Sequence, residues 1–350
     1  MRLRVYIFFL LISQTSLAQN CDVDQIKDLL HNQQFALVYS MAETMKDCDL
    51  SDSDSEWTQF HQAICALELF NDEAQFRLEQ YLENYPLGEY SRQAYLALAK
   101  LHFRNKEYDK VIAKLSNVNV YDLEFQEEAM YYFRLGYSYF SLNKYEEAKL
   151  AFFDVKSVAF TYSELTTYCL SHMAYEEGNY ATALQGFQQL ISTPKLGIIS
   201  KYYITHIYYY QERYNELIDF AKPLLKNSYN PKRDKELKRL IGDAYFALGQ
   251  YQNSIDYLEG YMSDDTSSSL DRIEKYQLGL AYFELQDYNK ATNQFEDVLL
   301  DEDSLSQFAA HQLGQCYLLL DEKPLAINAF KYSSAINFDY TLKEDAAFNS

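Results

Sequence analysis

Small and aromatic residues recur along this chain at a nearly constant interval. A small residue is followed nine positions later by an aromatic one, and the pair returns every 34 to 37 residues. The pairs are Ala99/Tyr108, Gly136/Tyr145, Ser171/Tyr180, Thr205/Tyr214, Gly242/Tyr251 and Gly279/Tyr288, and Gly314/Lys323 continues the series with lysine in the aromatic place. Because only the interval between pairs varies, the pattern predicts one helical hairpin, repeated along the chain and joined by loops of slightly different length.

The apolar residues inside one interval have helical spacing. Within residues 127–160, the positions i, i+3, i+4 and i+7 of a first helix, helix A, are Tyr132, Leu135, Gly136 and Tyr139. The second helix, helix B, carries Tyr145, Ala148, Phe152 and Val155. The small residue of helix A, here called the small position, is expected to let the two backbones approach closely. No single hairpin buries both of its faces, so neighbouring hairpins must stack on one another.

This pattern resembles the tetratricopeptide repeat (TPR) family, whose unit is about 34 residues long. Three units carry it most clearly: Leu135, Gly136, Tyr139, Tyr145, Ala148 and Phe152; Leu278, Gly279, Tyr282, Tyr288, Ala291 and Phe295; and Leu313, Gly314, Tyr317, Ala326 and Phe330. The unit of Thr205 departs from it on helix B. The resemblance implies an all-α fold, a right-handed α-solenoid (superhelix) of about eight to nine antiparallel hairpins in one continuous array over residues 19–350. It also implies a non-catalytic scaffold for a protein or peptide partner, similar to exported bacterial TPR proteins of the cell envelope.

The first 18 residues have the features of a secretory signal peptide. Arg2 and Arg4 precede a short apolar run, and Ser16 and Ala18 stand at the small positions of a cleavage site before Gln19. The apolar run is too short to span a bilayer. We therefore expect an exported protein of the bacterial periplasm or cell surface. Removal of the signal leaves 29 basic against 51 acidic residues, a net charge of −22, which disfavours nucleic acid as a partner.

Five cysteines divide into two groups. Cys65, Cys169 and Cys316 lie within helical patterns and are expected to be buried. Cys21 and Cys48 flank two predicted antiparallel helices that turn near Asn32 and Gln33, which places both cysteines at one end of a hairpin and predicts a disulfide. The acidic segment 49–56 that follows is predicted to be a solvated linker rather than a calcium loop.

The sequence contains no recognisable catalytic or metal-binding frame. The six histidines lack His-x-x-x-His spacing and paired cysteines, and no nucleophile elbow, phosphate loop or dinucleotide fingerprint is present. We predict no enzymatic activity, no cofactor and no metal site.

The resemblance implies that side chains three before, one after and four after each small position face the concave side of the solenoid. The candidate partner-binding residues are Phe133, Phe140, Tyr168, His172, Tyr175, Tyr202, His206, Tyr209, Tyr210, Phe246, Tyr276 and Phe283. These rings would bind a partner, or they would pack against the neighbouring helix A. Two further functions remain open, an envelope-glycan adaptor and a structural spacer; a spacer predicts that the rings bury one another.

The pattern also predicts a further helix A near the end of the chain. The next small position after Gly314 falls at about 349–351, in a helix expected to begin near Lys343. We therefore expect these 350 residues to be the N-terminal part of a longer repeat protein.

Overall fold

The computed structural model describes residues 21–158, 162–226, 230–263, 272–300 and 302–350. These residues form nineteen α-helices and one 3-10 helix (Val120–Asp122), without a strand among them. The predicted signal peptide lies outside the described residues. The α-helices are α1 (Val23–His31), α2 (Phe35–Thr44), α3 (Asp52–Glu68), α4 (Ala74–Asn84), α5 (Ser91–Arg104), α6 (Tyr108–Leu115), α7 (Phe125–Ser141), α8 (Tyr145–Val158), α9 (Ser163–Glu176), α10 (Tyr180–Leu190), α11 (Gly197–Tyr210), α12 (Tyr214–Lys226), α13 (Pro231–Ala247), α14 (Tyr251–Ser263), α15 (Arg272–Glu284), α16 (Tyr288–Glu296), α17 (Ser304–Leu319), α18 (Lys323–Ala335) and α19 (Tyr340–Asn349).

The helices belong to two compact units, Met1–Leu170 and Ser171–Ser350. In each unit the odd-numbered helices are helix A of a hairpin and the even-numbered helices are helix B, so the described chain holds nine hairpins followed by α19. In the first unit α3 packs on α5 and α5 on α7, and in the second α15 packs on α17 and α17 on α19. Successive A helices therefore contact one another, as stacked hairpins require.

The nine turns between helix A and helix B share one backbone geometry. One residue in each turn has a positive φ, and the residue after it donates its amide N–H to the carbonyl five residues earlier, with N···O distances of 2.8–3.0 Å. This is the bond that closes a Schellman motif at a helix C-terminus. The positive-φ residues are Gln33, Phe70, Lys106, Asn143, Gly178, Glu212, Gly249, Gln286 and Asp321. A fixed turn explains why the nine-residue interval of the sequence never changes.

Gly249 isolates the backbone cost of this turn. Its φ is +70°, and an added Cβ would meet nothing within 4 Å. We expect Gly249→Ala to lower the free energy of unfolding by about 1–2 kcal/mol, because an L-residue is strained in the left-handed region. The control is Gly260→Ala inside α14, where the nearest atom lies 3.8 Å from the added Cβ and stability should rise by up to about 1 kcal/mol. Urea denaturation measures both variants, and a shift of the same sign in both would contradict the assignment.

The small position makes room for a side chain of helix B. A Cβ added to Gly136 would lie 2.8 Å from the ring of Phe152, and one added to Gly279 or Gly314 would lie 2.7 Å from Phe295 or Phe330. Gly242 faces Leu258 in the same way, at 2.8 Å. The expected close approach is present, but a buried helix-B side chain, rather than the helix-B backbone, fills the space that the glycine leaves.

The first hairpin is closed by a disulfide between Cys21 and Cys48, whose Cα atoms are 5.9 Å apart. Its helices α1 and α2 turn at Gln33, as the sequence predicts. The other cysteines, Cys65, Cys169 and Cys316, are free and buried, and burial raises the pKa of each thiol to about 12.

The prediction of a linker over residues 49–56 is wrong for residues 52–56. Helix α3 begins at Asp52, and the Oγ of Ser51 accepts a hydrogen bond from the backbone N–H of Asp54 at 3.1 Å. Serine is a favourable N-cap, and acidic residues in the first turn are stabilised by the helix dipole. The alternation of serine and aspartate therefore marks a helix start.

The last described helix, α19, begins three residues before the predicted position at Lys343. Its Ala346 is buried against Ala326 and Phe330 of the preceding hairpin. The Nε2 of His311 in α17 lies 2.6 Å from a carboxylate oxygen of Asp345 in α19. Helix α19 thus packs on α17 and α18 as the next helix A of the repeat does.

Candidate functional site

Most aromatic residues four positions after a small position contact the first aromatic residue of their own helix B. The ring centroids are 5.5–6.1 Å apart in Phe103/Tyr108, Phe140/Tyr145, Tyr175/Tyr180, Phe246/Tyr251 and Phe283/Tyr288. All five rings on helix A are half-buried. The repeat itself therefore accounts for these ten rings without a ligand, and they stiffen their hairpins.

Tyr209 departs from this arrangement. It occupies the same position in its repeat, but its hydroxyl donates to a carboxylate oxygen of Asp243 in α13, at 3.4 Å. Its ring lies 5.9 Å from the guanidinium carbon of Arg239, also in α13. Tyr209 thus connects α11 to the next helix A instead of closing its own hairpin.

Arg239 is the centre of an acidic network on α13 and α15. Its guanidinium donates to Glu236 at 2.7 Å and to Asp243 at 2.8 Å, and it lies 4.0 Å from Glu274. Asp243 and Glu274 are only 7% and 6% exposed. Each buried acid therefore has nearby the cation that burial requires. A second cation of α13, Arg233, lies 5.8 Å from the ring of Tyr202.

Six of the predicted residues come together beside this network, and we call them the tyrosine cluster: His172, Tyr175, Tyr202, His206, Tyr209 and Tyr210. Tyr202 and His206 have ring centroids 4.4 Å apart, and Tyr210 lies 5.9 Å from Tyr209 and 6.2 Å from Tyr175. His172 joins the cluster through Tyr203, at 5.3 Å. Tyr210 is 52% exposed, so the cluster presents an accessible aromatic surface.

The histidines of the cluster present neutral rings at pH 7. Burial lowers the pKa of both His172 and His206, and the nearby carboxylates of Glu176 and Glu236 oppose the shift only in part. Burial also raises the pKa of Asp243, against the opposing effect of Arg239. The site therefore combines uncharged aromatic surface with a carboxylate network at its edge.

The remaining predicted residues lie elsewhere. Phe133 is 6% exposed and stacks on Tyr162 at 4.4 Å, so it is a packing residue of the first unit. Tyr276 lies 5.7 Å from the core residue Phe295. Phe140, Phe246 and Phe283 belong to the hairpin pairs described above. Tyr168 is half-buried in α9 and lies in the first unit.

The acidic network was not predicted as part of the site. A signal for it exists, since Arg239 stands three residues before a small position, where most repeats carry an aromatic residue, and Asp243 stands one residue after it. Glu236 and Glu274 carry no such positional signal.

In the described ranges, no group of three His, Cys, Asp or Glu side chains is placed to hold a metal ion. None of the described helices is both long and apolar enough to cross a membrane.

Comparison with known proteins identifies the repeat. The sequence model of the tetratricopeptide repeat family matches residues 129–152, 240–262 and 275–300. The C-terminal part of a TPR repeat-containing protein from Cytophaga hutchinsonii superposes with a TM-score of 0.56 at 15% identity, covering 72% of this chain and 98% of that one. The predicted all-α solenoid of helical hairpins is thereby confirmed.

Two other solved structures are similar over about half of the chain. YrrB, described as a TPR protein with an unusual peptide-binding site, has 17% identity and a TM-score of 0.45, covering 53% of this chain and 92% of its own. MamA from Desulfovibrio magneticus RS-1 has 18% identity and a TM-score of 0.43, covering 50% and 94%. No curated protein matches the sequence significantly.

Proposed function

Because the chain contains tetratricopeptide repeats, we propose that it is a non-catalytic protein-interaction scaffold whose partner binds at the tyrosine cluster of the second unit. The observation that carries this proposal is the departure of Tyr209 from hairpin pairing. Its contact with Asp243 joins an aromatic surface to the Arg239 network, and half of Tyr210 stays exposed beside them. In the other repeats with such a pair, the corresponding ring already contacts its own helix B.

The chemistry of the cluster favours a peptide segment that carries aromatic side chains. Tyrosine offers a large contact area at low entropic cost and keeps a hydroxyl for hydrogen bonding. Neutral histidine rings extend this surface, and Arg233 stands at its edge beside Arg239 and the carboxylate partners of Arg239. Binding would depend on a few anchor residues rather than on the whole helix-A face.

We also propose that the protein is exported. Residues 1–18 support this with their basic start, apolar run and cleavage site. The Cys21–Cys48 bridge supports it as well, since disulfides persist in oxidising compartments. The second candidate, a structural spacer, gains some support from the hairpin ring pairs, which explain many of the aromatics without a ligand.

Crosslinking at position 210 tests the binding site. A photoreactive phenylalanine in place of Tyr210 should crosslink a discrete partner in envelope extract, and the same residue at Tyr340, 72% exposed in α19, should not. With the purified partner, Tyr210→Ala should weaken binding by about tenfold or more, roughly 1.4–2 kcal/mol, while Tyr340→Ala leaves it unchanged.

Tyr210 also stacks on Tyr180 at 5.3 Å, so its removal could affect folding as well as binding. The melting temperature of Tyr210→Ala therefore has to be measured beside its affinity, and a loss of affinity at an unchanged melting temperature is a loss of binding contacts. Equal crosslinking at both positions, or full affinity in Tyr210→Ala, would place the site elsewhere and favour the spacer.

A further inference from the structure

One segment of the second unit is basic, although the chain as a whole is acidic. Residues 195–239 contain ten lysines and arginines and five acidic residues, a local charge of +5 in a chain of net charge −20. The segment runs from just before α11 into α13, the helices that carry Tyr202, His206 and Arg239 of the candidate site. A partner that approaches the tyrosine cluster therefore meets a basic part of an acidic protein.

The first part of α13 carries its charges against the local preference of a helix. Residues 231–239 hold five basic and two acidic side chains, and Lys232 and Arg233 stand in the first turn after the cap at Asn230. The helix dipole favours acidic side chains in a first turn. The positive end of the dipole therefore adds to the field of these two cations.

Arg233 is the cation of this turn that reaches the tyrosine cluster. Its side chain is half-buried, and its guanidinium carbon lies 5.8 Å from the centroid of the Tyr202 ring. Among the described residues no carboxylate is paired with this guanidinium, whereas Arg213 and Arg239 each bind a glutamate, at 2.6 and 2.7 Å. A guanidinium above an aromatic ring still presents N–H groups at its edge, in the geometry that binds a carboxylate.

The acids of the Arg239 network leave the charge of Arg233 largely uncompensated. Glu236 accepts two hydrogen bonds from Arg239, at 2.7 and 3.1 Å. Asp243 comes ten residues after Arg233, about 15 Å along the axis of α13. That separation exceeds the Debye length of about 8 Å at physiological ionic strength. Asp243 and Glu274 are also buried, so a ligand at Arg233 meets the cation rather than these carboxylates.

Apolar surface adjoins this cation. The ring of Tyr202 is half-buried, and its centroid lies 4.4 Å from that of the neutral His206 ring. Ile198 stands one turn earlier on the same face of α11 and is 67% exposed. A ligand that covers both parts of this surface needs an apolar side chain next to a carboxylate.

We propose that the partner segment at the tyrosine cluster is acidic: an aspartate or glutamate side chain binds Arg233, and a neighbouring apolar side chain packs on Tyr202 and Ile198. This inference rests on the proposed function and names the charge of the partner. The charge of the remaining chain sharpens the preference, because an acidic segment is repelled from the rest of the surface and attracted here. An anionic membrane would use the cations but not the aromatic surface beside them.

A peptide selection on the disulfide-bonded full chain tests the charge of the partner. The probe is a random library of displayed peptides fused through their C-termini, so that only side-chain carboxylates are available for binding. We expect the enriched peptides to carry an aspartate or glutamate next to an apolar residue. A soluble copy of the best peptide with asparagine and glutamine at the acidic positions should bind about tenfold more weakly.

Substitution of Arg233 identifies the cation that the acidic peptide needs. Arg233→Gln should weaken binding of the best acidic peptide by about tenfold, with an unchanged melting temperature because no ion pair is lost. Arg233→Lys should restore part of the affinity, since it keeps the charge without the planar guanidinium. The matched control is Arg213→Gln, which also removes an arginine above a tyrosine ring, that of Tyr208 at 4.5 Å. Arg213 is already paired with Glu216, so the affinity should not change.

Three results would overturn the proposal. The enriched peptides could be neutral or basic, or the acidic peptide could bind Arg233→Gln as tightly as the unaltered protein. The third is binding to phosphatidylglycerol vesicles that is lost in Arg233→Gln, without any enrichment of acidic peptides, which would assign the cations to a membrane.

Tyr210→Ala separates these results from a failure of the proposed function. Selected peptides that bind Tyr210→Ala with full affinity do not occupy the tyrosine cluster, and both proposals then fail. Neutral peptides that lose affinity in Tyr210→Ala would keep the cluster as the binding site and contradict only its preference for acidic partners.

Discussion

Phe295→Ala should lower the free energy of unfolding of the second unit by about 3–5 kcal/mol, the usual cost of removing a buried phenylalanine ring. Phe295 is fully buried, and its ring occupies the space left by Gly279 sixteen residues earlier. Helix α16 is short, so it has few other core side chains to compensate for the cavity.

The same pair predicts that a second substitution will repair part of this loss. Gly279→Thr alone should cost about 1–3 kcal/mol, because a Cβ there already lies 2.7 Å from the Phe295 ring. The repeat of Thr205 shows a different solution at equivalent positions, with threonine on helix A and Ala221 on helix B, both fully buried. The double variant Gly279→Thr, Phe295→Ala copies this solution. Its loss of unfolding free energy should be smaller than the sum of the two single losses by about 1 kcal/mol or more, a coupling typical of residues in contact.

Hydrogen exchange of α15 and α16 should accompany urea denaturation in this cycle, since a repeat array can unfold locally. A mismatched pairing provides the control: Gly279→Thr combined with Phe330→Ala, a buried ring of the following hairpin, should show no such coupling. Additive effects in the matched pair would mean that the glycine does not make room for the ring.

The hairpins were predictable from the sequence because their geometry is local. The left-handed turn residue and the hydrogen bond after it span six residues, so each turn forces the same interval between Gly279 and Tyr288 as between Gly136 and Tyr145. The pairing of the two cysteines that flank the first hairpin follows from the same local geometry, because the turn brings them to the same end.

The candidate site was predictable only in outline because it depends on contacts between hairpins. The sequence placed Tyr209 on the inner face of helix A, but its bond to Asp243 joins residues 34 positions apart. Whether such a ring contacts its own helix B or the next helix A depends on the carboxylates that are paired with Arg239 on α13. The burial of Phe133 is a further non-local effect, since Tyr162 covers it from outside its hairpin.

Removing the disulfide should destabilise the first hairpin more than any single surface change. The bridge joins cysteines 27 residues apart, and the chain-entropy estimate for a loop of that length is about 3–4 kcal/mol. The hairpin of α1 and α2 packs mainly on α3, through Val38, Ala42 and Met45 against Cys65. It also reaches α4, where Arg77 lies 3.1 Å from Glu43 of α2. Since its described packing is against one neighbouring hairpin, the bridge should contribute a large share of its stability.

We therefore expect Cys21→Ser, Cys48→Ser to lose hydrogen-exchange protection in α1 and α2 first, while α5 to α7 keep theirs. The control is Cys65→Ser, which alters a buried free thiol of α3. It should weaken the contact between α2 and α3, but it should leave the mass difference between oxidised and reduced protein unchanged. Protein recovered from an envelope fraction should begin at Gln19 and gain 2 Da on reduction, the mass of two hydrogens added to one bridge. Free thiols at both positions in that fraction would exclude the bridge, and an intact Met1 on protein found in the cytoplasm would exclude export.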